Sequence, residues 1–428
     1  MVKLVYPLLK RPLPTLAKVV DKYGSMVEFN GGKYQQLFLV SDPEAVKYIL
    51  KTNKDNFKRS PVIKALKPLL GDGIFISEGT TWKDQRQALK PAFHDSVIAQ
   101  FEAVILEETQ LLIETWSNRP HPIDIEEDIE LLMLKILIKT QFCSSVKLDV
   151  EEIQRAHLEV LEKTSIRNQK VGFYVNKLRK SVGLSSKKKR TNTAVAYLDV
   201  VAKKIITHGQ NHMEECSYWL RAMLEANVNE NEIRDQILNF IFAGYDTTAS
   251  ALSWALYSLS THNNEQTKCR KEGSIVPVEF KNIGQLKYTK NCIQESLRLY
   301  PPVWSIHRQS TEPDTIADHD FKAQSYFMIC LYTMHRDKNV WEHPDVFDPN
   351  RFNGDGLRGK AFQYLPFGQG ERVCIGQSLA ILEMQLIIGK LLQAFEFDYN
   401  ESKPPEIVPG IIMKSKAGIW LNVKLISD

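Results

Sequence analysis

The segment Phe367-Gly368-Gln369-Gly370-Glu371-Arg372-Val373-Cys374-Ile375-Gly376 constrains this chain more than any other feature. It sets one cysteine behind a glycine-rich turn, two residues after an arginine, and just before a helical run from Gln377 to Leu392. Glycines let backbone approach a flat surface closely and aim amide N–H groups at a sulfur. A helix beginning after the cysteine favours an anionic sulfur at its N-terminal end. Arg372 adds a cation suited to a haem propionate. These are the parts required by a haem iron held by one thiolate, which pushes electron density onto the metal and favours O–O cleavage. The alternative is a buried structural cysteine beside a tight turn.

The remaining totals exclude several classes. The balance of 55 basic and 51 acidic residues, a net charge of +4 over 428 residues, gives no support to nucleic-acid binding. The six cysteines (Cys143, Cys216, Cys269, Cys292, Cys330, Cys374) show no C-x-x-C spacing, so zinc and iron–sulfur sites are unsupported. Their scatter argues against a disulfide scaffold and for a reducing compartment. Met1 to Lys10 is apolar for only a few residues between lysines, too short for a membrane span of about 20 residues. The expectation is a soluble, cytoplasmic chain with no transmembrane anchor.

Helical periodicity dominates, in Ala45 to Leu50, Phe101 to Trp116, Ile125 to Phe142, Glu151 to Lys163 and Thr193 to His208. Strand-like pieces are few: Met26 to Phe29 with Leu37 to Val40 around Gly31-Gly32, and Gly418 to Ile426. The basic stretch from Leu178 to Asn192, with Lys187-Lys188-Lys189-Arg190, reads as an exposed loop. No linker divides the chain, so one α-rich domain over residues 1–428 is expected, with its β-containing part at about 20–60.

From Asn231 to His262 the pattern predicts one long helix with Phe242-Ala243-Gly244-Tyr245-Asp246-Thr247-Thr248 in its middle. Glycine and threonine weaken a helix, and a Thr247 hydroxyl bonding back to the Ala243 carbonyl would bend it. Asp246 and Thr247 together offer an acid and a hydroxyl for proton delivery. Further on, Glu295-Ser296-Leu297-Arg298 sets opposite charges one turn apart, followed by Leu299-Tyr300-Pro301-Pro302 and later by Asp348-Pro349-Asn350-Arg351-Phe352. Trp82 and Arg86 stand four apart on one helix face.

These four elements, in this order, resemble the cytochrome P450 family. The cysteine segment matches its F-x-x-G-x-R-x-C-x-G loop, and Ala243 to Thr247 its [AG]-G-x-[DE]-T motif. Glu295 and Arg298 are similar to its E-x-x-R helix, and Pro349 to Phe352 to its P-x-R-F element. The resemblance runs from roughly Leu13 to the C-terminus. It implies a mainly α fold with a small β region, a triangular prism around a long oxygen-activating helix. It also implies haem b, O₂, and NAD(P)H electrons from a separate ferredoxin or flavoprotein reductase, with Lys83 and Lys90 as candidate docking residues.

Residue by residue, the resemblance makes Cys374 the iron ligand and Phe367, Gly368, Gly370 and Gly376 its loop. Trp82, Arg86, Arg308 and Arg372 become propionate partners, with His307 the alternative to Arg308. Asp246 and Thr247 become the oxygen-activating pair, and Glu295, Arg298 and Arg351 a buried triad that holds the cysteine loop. The segments that meet substrate in this family are 66–75, 172–184, 240–243, 303–306 and 411–413. Phe75, Phe240, Phe242, Ala243, Val303, Trp304 and Met413 make these mainly apolar, which favours a lipophilic ligand. Asn239 is a weaker candidate as a polar anchor.

Two other activities fit a haem-thiolate chain: an H₂O₂-dependent peroxygenase and a non-enzymatic haem sensor. Asp246-Thr247 argues against the first, and a sensor needs no proton-delivery pair. Two motifs are set aside. His335-Arg336-Asp337 lacks the other parts of a kinase site. His208 and His212 have zinc-ligand spacing, but Gly209 interrupts them and no third donor is evident.

Overall fold

The computed structural model describes residues 11–30, 36–164, 188–354, 356 and 359–426. Its longer helices are α1 Pro12–Tyr23, α2 Gly79–Leu89, α3 Glu102–Ser117, α4 Ile125–Gln141, α5 Val150–Thr164, α6 Lys188–Asn211, α7 Tyr218–Glu225, α8 Glu230–Gly244, α9 Asp246–Ser260, α10 Asn263–Ile275, α11 Lys287–Leu299 and α12 Gln377–Ala394. The strands are β1 Met26–Asn30, β2 Gln36–Val40, β3 Phe57–Arg59, β4 Ile123–Asp124, β5 Ser305–Ser310, β6 Asp314–Ile316, β7 His319–Phe321, β8 Tyr326–Cys330, β9 Phe395–Tyr399, β10 Ile407–Pro409, β11 Met413–Ser415 and β12 Trp420–Leu425. The chain forms two compact units, residues 1–65 with 291–377 and residues 66–290 with 378–428.

The first unit is built on a five-stranded sheet ordered β1-β2-β8-β5-β3. β2 and β8 run parallel, with Leu37 opposite Tyr326 and Val40 opposite Ile329. The other neighbours are antiparallel. Phe38, Val40, Phe327 and Ile329 are buried, and the Phe38 and Phe327 rings stack at 4.9 Å. β-branched and aromatic side chains at these positions fit a pleated, covered surface. α1 starts with Pro12 at its first turn and buries Leu13, Leu16 and Val19 along one stripe.

The second unit is helical. α9 packs on α4 and β9, α5 on α6, and α6 on α8. α9 is buried almost all round, yet carries several serines. Ser253 and Ser258 donate to the Ala249 and Trp254 carbonyls of their own helix, and Ser250 donates to the Met413 carbonyl. Each buried hydroxyl is thereby satisfied. β12 lies between β4 and β9, antiparallel to both.

Three expectations are corrected. The helix predicted from Asn231 to His262 is two helices, α8 and α9, broken at Tyr245. The exposed loop predicted from Leu178 to Asn192 is helical backbone from Lys188 on, where lysine and arginine favour the helix carried by the following apolar periodicity; the part before Lys188 lies outside the described residues. Short strands such as β3, β6, β7, β9, β10 and β11 went unpredicted, since three to five residues give too few alternations to read. Among the described residues, no helix is long and apolar enough to cross a membrane.

Candidate active site

In the first unit, the cysteine segment folds as a turn closed on itself. The Cys374 N–H donates to the Phe367 carbonyl at 2.9 Å, and Gly370–Arg372 forms a single 3₁₀ turn between them. Gly368 and Gly370 adopt φ of +73° and +77°, a region that glycine enters without strain. A Cβ on Gly370 would lie 2.2 Å from the Leu50 carbonyl oxygen, so the turn is also packed too closely for any side chain there. Lys54 pairs with Glu371 beside it. Cys374 is exposed, while the other five cysteines are buried. An exposed cysteine on a backbone turn just ahead of α12 is a donor that fits an iron macrocycle. It does not fit the structural-cysteine alternative.

Behind this turn lies a charged core. Glu295 and Arg298 are fully buried, and the guanidinium grips the carboxylate with two bonds of 2.7 and 2.8 Å. Arg351 Nε adds a 3.0 Å bond to the same carboxylate, and the Asp348 N–H a fourth of 2.9 Å. Arg298 also donates to the carbonyls of His335, Pro344 and Val346. Such saturation is what a buried ion pair needs to survive loss of water. From here a continuous path reaches the backbone of Cys374. His335 Nε2 accepts from the Leu365 N–H at 3.1 Å, the Leu365 carbonyl accepts from Gly368, and Phe367 holds Cys374. Burial, aided by Arg298 nearby, lowers the His335 pKa to about 3, so it is neutral and can accept that bond.

Arg308 lies in β5 opposite Phe327, half-buried. Its rival, His307, is buried with both ring nitrogens engaged, Nε2 with Ser305 at 2.8 Å and Nδ1 with Tyr326 at 2.6 Å. Burial, and then Arg308, lower its pKa to about 4. A neutral, fully partnered imidazole has nothing to offer a propionate. Val303 is exposed and Trp304 buried, just ahead of this strand.

In the second unit, the Thr247 hydroxyl donates to the Ala243 carbonyl at 2.9 Å, at the break between α8 and α9. Ala243 is exposed and Thr247 half-buried, in a helix pair whose neighbouring residues are almost all buried. Asp246 points the other way. It is fully buried, with Lys414 Nζ 2.7 Å from one carboxylate oxygen and His157 Nε2 3.4 Å from the other. Lys414 also pairs with Glu130 at 2.6 Å, and Gln154 donates to Glu130 at 2.8 Å. Burial acts to raise the Asp246 carboxyl, but His157 and Lys414 outweigh it and hold the group below its ordinary value. Burial acts to lower Lys414, and its two carboxylate partners raise it on balance. His157, Lys414 and Glu130 carry no motif, and only the tertiary fold gathers them. A lysine in a short strand and a glutamate directly before the apolar run Leu131 to Leu134 of α4 were the faint signals available.

Phe75 and Phe242 meet at 5.4 Å, and Phe242 also touches His157 at 5.8 Å. Phe240 instead stacks between Trp219 and Phe93, at 4.6 and 5.9 Å, and Met413 is fully buried. Asn239 is no free anchor: it accepts from the Phe75 N–H and donates to the Leu70 and Asp235 carbonyls. Trp82 is buried and Arg86 half-buried on α2, with Lys83 and Lys90 exposed. The segment 172–184 lies outside the described residues. His208 and His212 do not share a donor cluster: the described residues instead place donor atoms of His212, Glu214 and Glu215 within 4.8 Å of one another at the surface, and His208 Nε2 lies 3.2 Å from Glu215.

The cytochrome P450 family model matches residues 6–422. Cytochrome P450 4A14 of Rattus norvegicus is 29% identical over 433 residues, covering 95% of this chain and 85% of the relative. Cytochrome P450 4A24 of Sus scrofa is 27% identical over 440 residues, covering 96% and 86%. Taurochenodeoxycholic 6 alpha-hydroxylase of Sus scrofa is 27% identical over 420 residues, covering 91% and 82%. A match of this extent, reaching both the cysteine turn and the helix pair, means that the chain belongs to the cytochrome P450 family of haem-dependent monooxygenases.

Proposed function

We propose that the chain inserts one atom of O₂ into a lipophilic small molecule, with Cys374 as the thiolate ligand of haem b. When bound, the haem supplies the iron at which O₂ is reduced and split. Arg372, Arg308, Arg86 and Trp82 would hold its propionates, and Phe367, Gly368, Gly370 and Gly376 would form the bed around the sulfur. The observation that carries the reading is the exposed Cys374 on a self-closed glycine turn, in a chain whose other cysteines are buried.

Thr247 and Asp246 have separate tasks. The Thr247 proton is committed to the Ala243 carbonyl, so its oxygen can only accept, and it orients a water molecule through that water's hydrogen. Asp246 holds a negative charge inside the protein, and protons reach it through Lys414, which is about one-fifth exposed, and His157. Electrons come from NAD(P)H through a separate ferredoxin or flavoprotein reductase, with Lys83 and Lys90 on α2 and just beyond it as docking cations. The apolar content of the substrate segments supports a lipophilic substrate, and one relative is named taurochenodeoxycholic 6 alpha-hydroxylase. The scattered cysteines, with no disulfide-type spacing, suit a reducing, cytoplasmic location.

The test couples isotopically labelled O₂ to NAD(P)H and a surrogate reductase, using ligands chosen by their shift of the haem band. One labelled oxygen per product molecule is expected. Thr247→Ala should still consume NAD(P)H but release H₂O₂ in place of product. Asp246→Asn should slow turnover roughly 100-fold. Product made only from added H₂O₂ would mean a peroxygenase, and wild-type coupling in Thr247→Ala would remove the hydroxyl from proton handling.

A further inference from the structure

Cys143 and Cys216 are 73 residues apart in sequence, and their sulfur atoms stand 2.8 Å apart in the interior of the second unit. The segment following α4 and the segment preceding α7 pair here as an isolated antiparallel bridge, with Cys143 opposite Cys216. The Ser144 N–H donates to the Glu215 carbonyl and the Ser217 N–H to the Phe142 carbonyl, one bond on each side of the cysteines. The cysteines therefore form the non-hydrogen-bonded pair of the ladder. In that pair the Cα atoms approach to about 4.5 Å and the side chains lean together, within the range a disulfide spans. Room for the two sulfurs comes from Gly209 in α6. A Cβ at that position would lie 2.9 Å from the Cys216 sulfur and 3.5 Å from that of Cys143. A glycine that weakens its helix is thus explained by the pair it accommodates.

We propose that Cys143 and Cys216 are a reversible disulfide site, closed by hydrogen peroxide and reopened by thiol reductants. Cys216 is the attacking group. The hydrogen bond from the Cys143 thiol, together with Arg221 nearby, lowers its pKa against the opposing effect of burial, while the same bond and burial raise that of Cys143. The Cys216 thiolate attacks one peroxide oxygen, the O–O bond breaks, and a sulfenic acid forms as hydroxide leaves and takes up a proton as water. The Cys143 sulfur then displaces the sulfenic hydroxyl, which leaves as a second water with the Cys143 proton. Two thiols and one H₂O₂ give one disulfide and two waters, so electrons and atoms balance. The peroxide is small enough to reach a pair whose partners are 0% and 6% exposed. The bond fastens the end of α4 to the entry of α7 and closes a long loop of the second unit.

The test treats the haem-loaded full chain with micromolar H₂O₂, alkylates remaining thiols under denaturing conditions, and digests without reductant. A cross-linked Cys143–Cys216 peptide pair is expected, two hydrogens lighter than its parts and lost after dithiothreitol. The oxidised protein should melt several degrees higher than the reduced one. Cys216→Ser should give no cross-link and an alkylated Cys143. Wild-type protein in which both cysteines are alkylated, Cys216 is overoxidised, or either is bonded to a different cysteine would overturn the proposal.

Discussion

Asp246 and Glu383 are both buried carboxylates, and they show how neighbours decide what burial does. Asp246 has Lys414 and His157 beside it and stays charged. Glu383, on α12, is nine-tenths or more buried, and burial alone pushes it up to about 8. An acid raised in the folded state keeps its proton after the unfolded chain has released its own. Stability from this group is therefore unaffected below about pH 4.5 and declines as pH rises toward 8. Asp246 and Lys414 act outside that window, since one is lowered and the other raised. Glu383→Gln should thus match wild type near pH 4.5 and gain up to about 4 kcal/mol at pH 8. Thermal melts across that range would show the growing gap, and a constant offset would mean that Glu383 is ionised in the fold.

At the scale of elements, the cysteine turn and the helix break follow from local chemistry that the sequence displays. Gly368 and Gly370 share a positive φ but differ in surroundings. A Cβ on Gly368 would meet only Ile306 at 3.9 Å, whereas one on Gly370 would strike the Leu50 carbonyl at 2.2 Å. Gly368→Ala should cost backbone strain of about 1–3 kcal/mol, and Gly370→Ala clearly more, because main chain must move as well. Haem content of the purified variants should fall in that order, and equal content would contradict the packing argument. The bend at Tyr245 was legible because Thr247 and Ala243 are four apart; that the helix stops for a residue there was not, since propensity alone does not tell a kink from a break. Short strands were illegible for a different reason. β8 finds its place from parallel pairing with β2, almost 290 residues earlier, which no local window contains.

Across the whole molecule, motif residues were readable where chemistry fixes both type and spacing: the cysteine turn, Glu295 with Arg298, and Asp246 with Thr247. Their partners were readable only in part. Arg351 was found through its own motif, while His335, His157, Lys414 and Glu130 depend on where distant segments meet. The triad shows what such meetings support. Glu295→Ala would leave Arg298 and Arg351 facing each other without their carboxylate, a loss of about 3–5 kcal/mol. Little haem-loaded protein should be recovered, and wild-type yield with full haem content would refute the scaffold role. The central claim, that Cys374 is the iron ligand, has a more direct readout in the absorption spectrum of the reduced CO complex. Wild-type protein should give the long-wavelength band of thiolate ligation, and Cys374→His protein that still binds haem should give the band of imidazole ligation. A thiolate-type band that persists in Cys374→His would contradict the account, because another residue would then hold the iron.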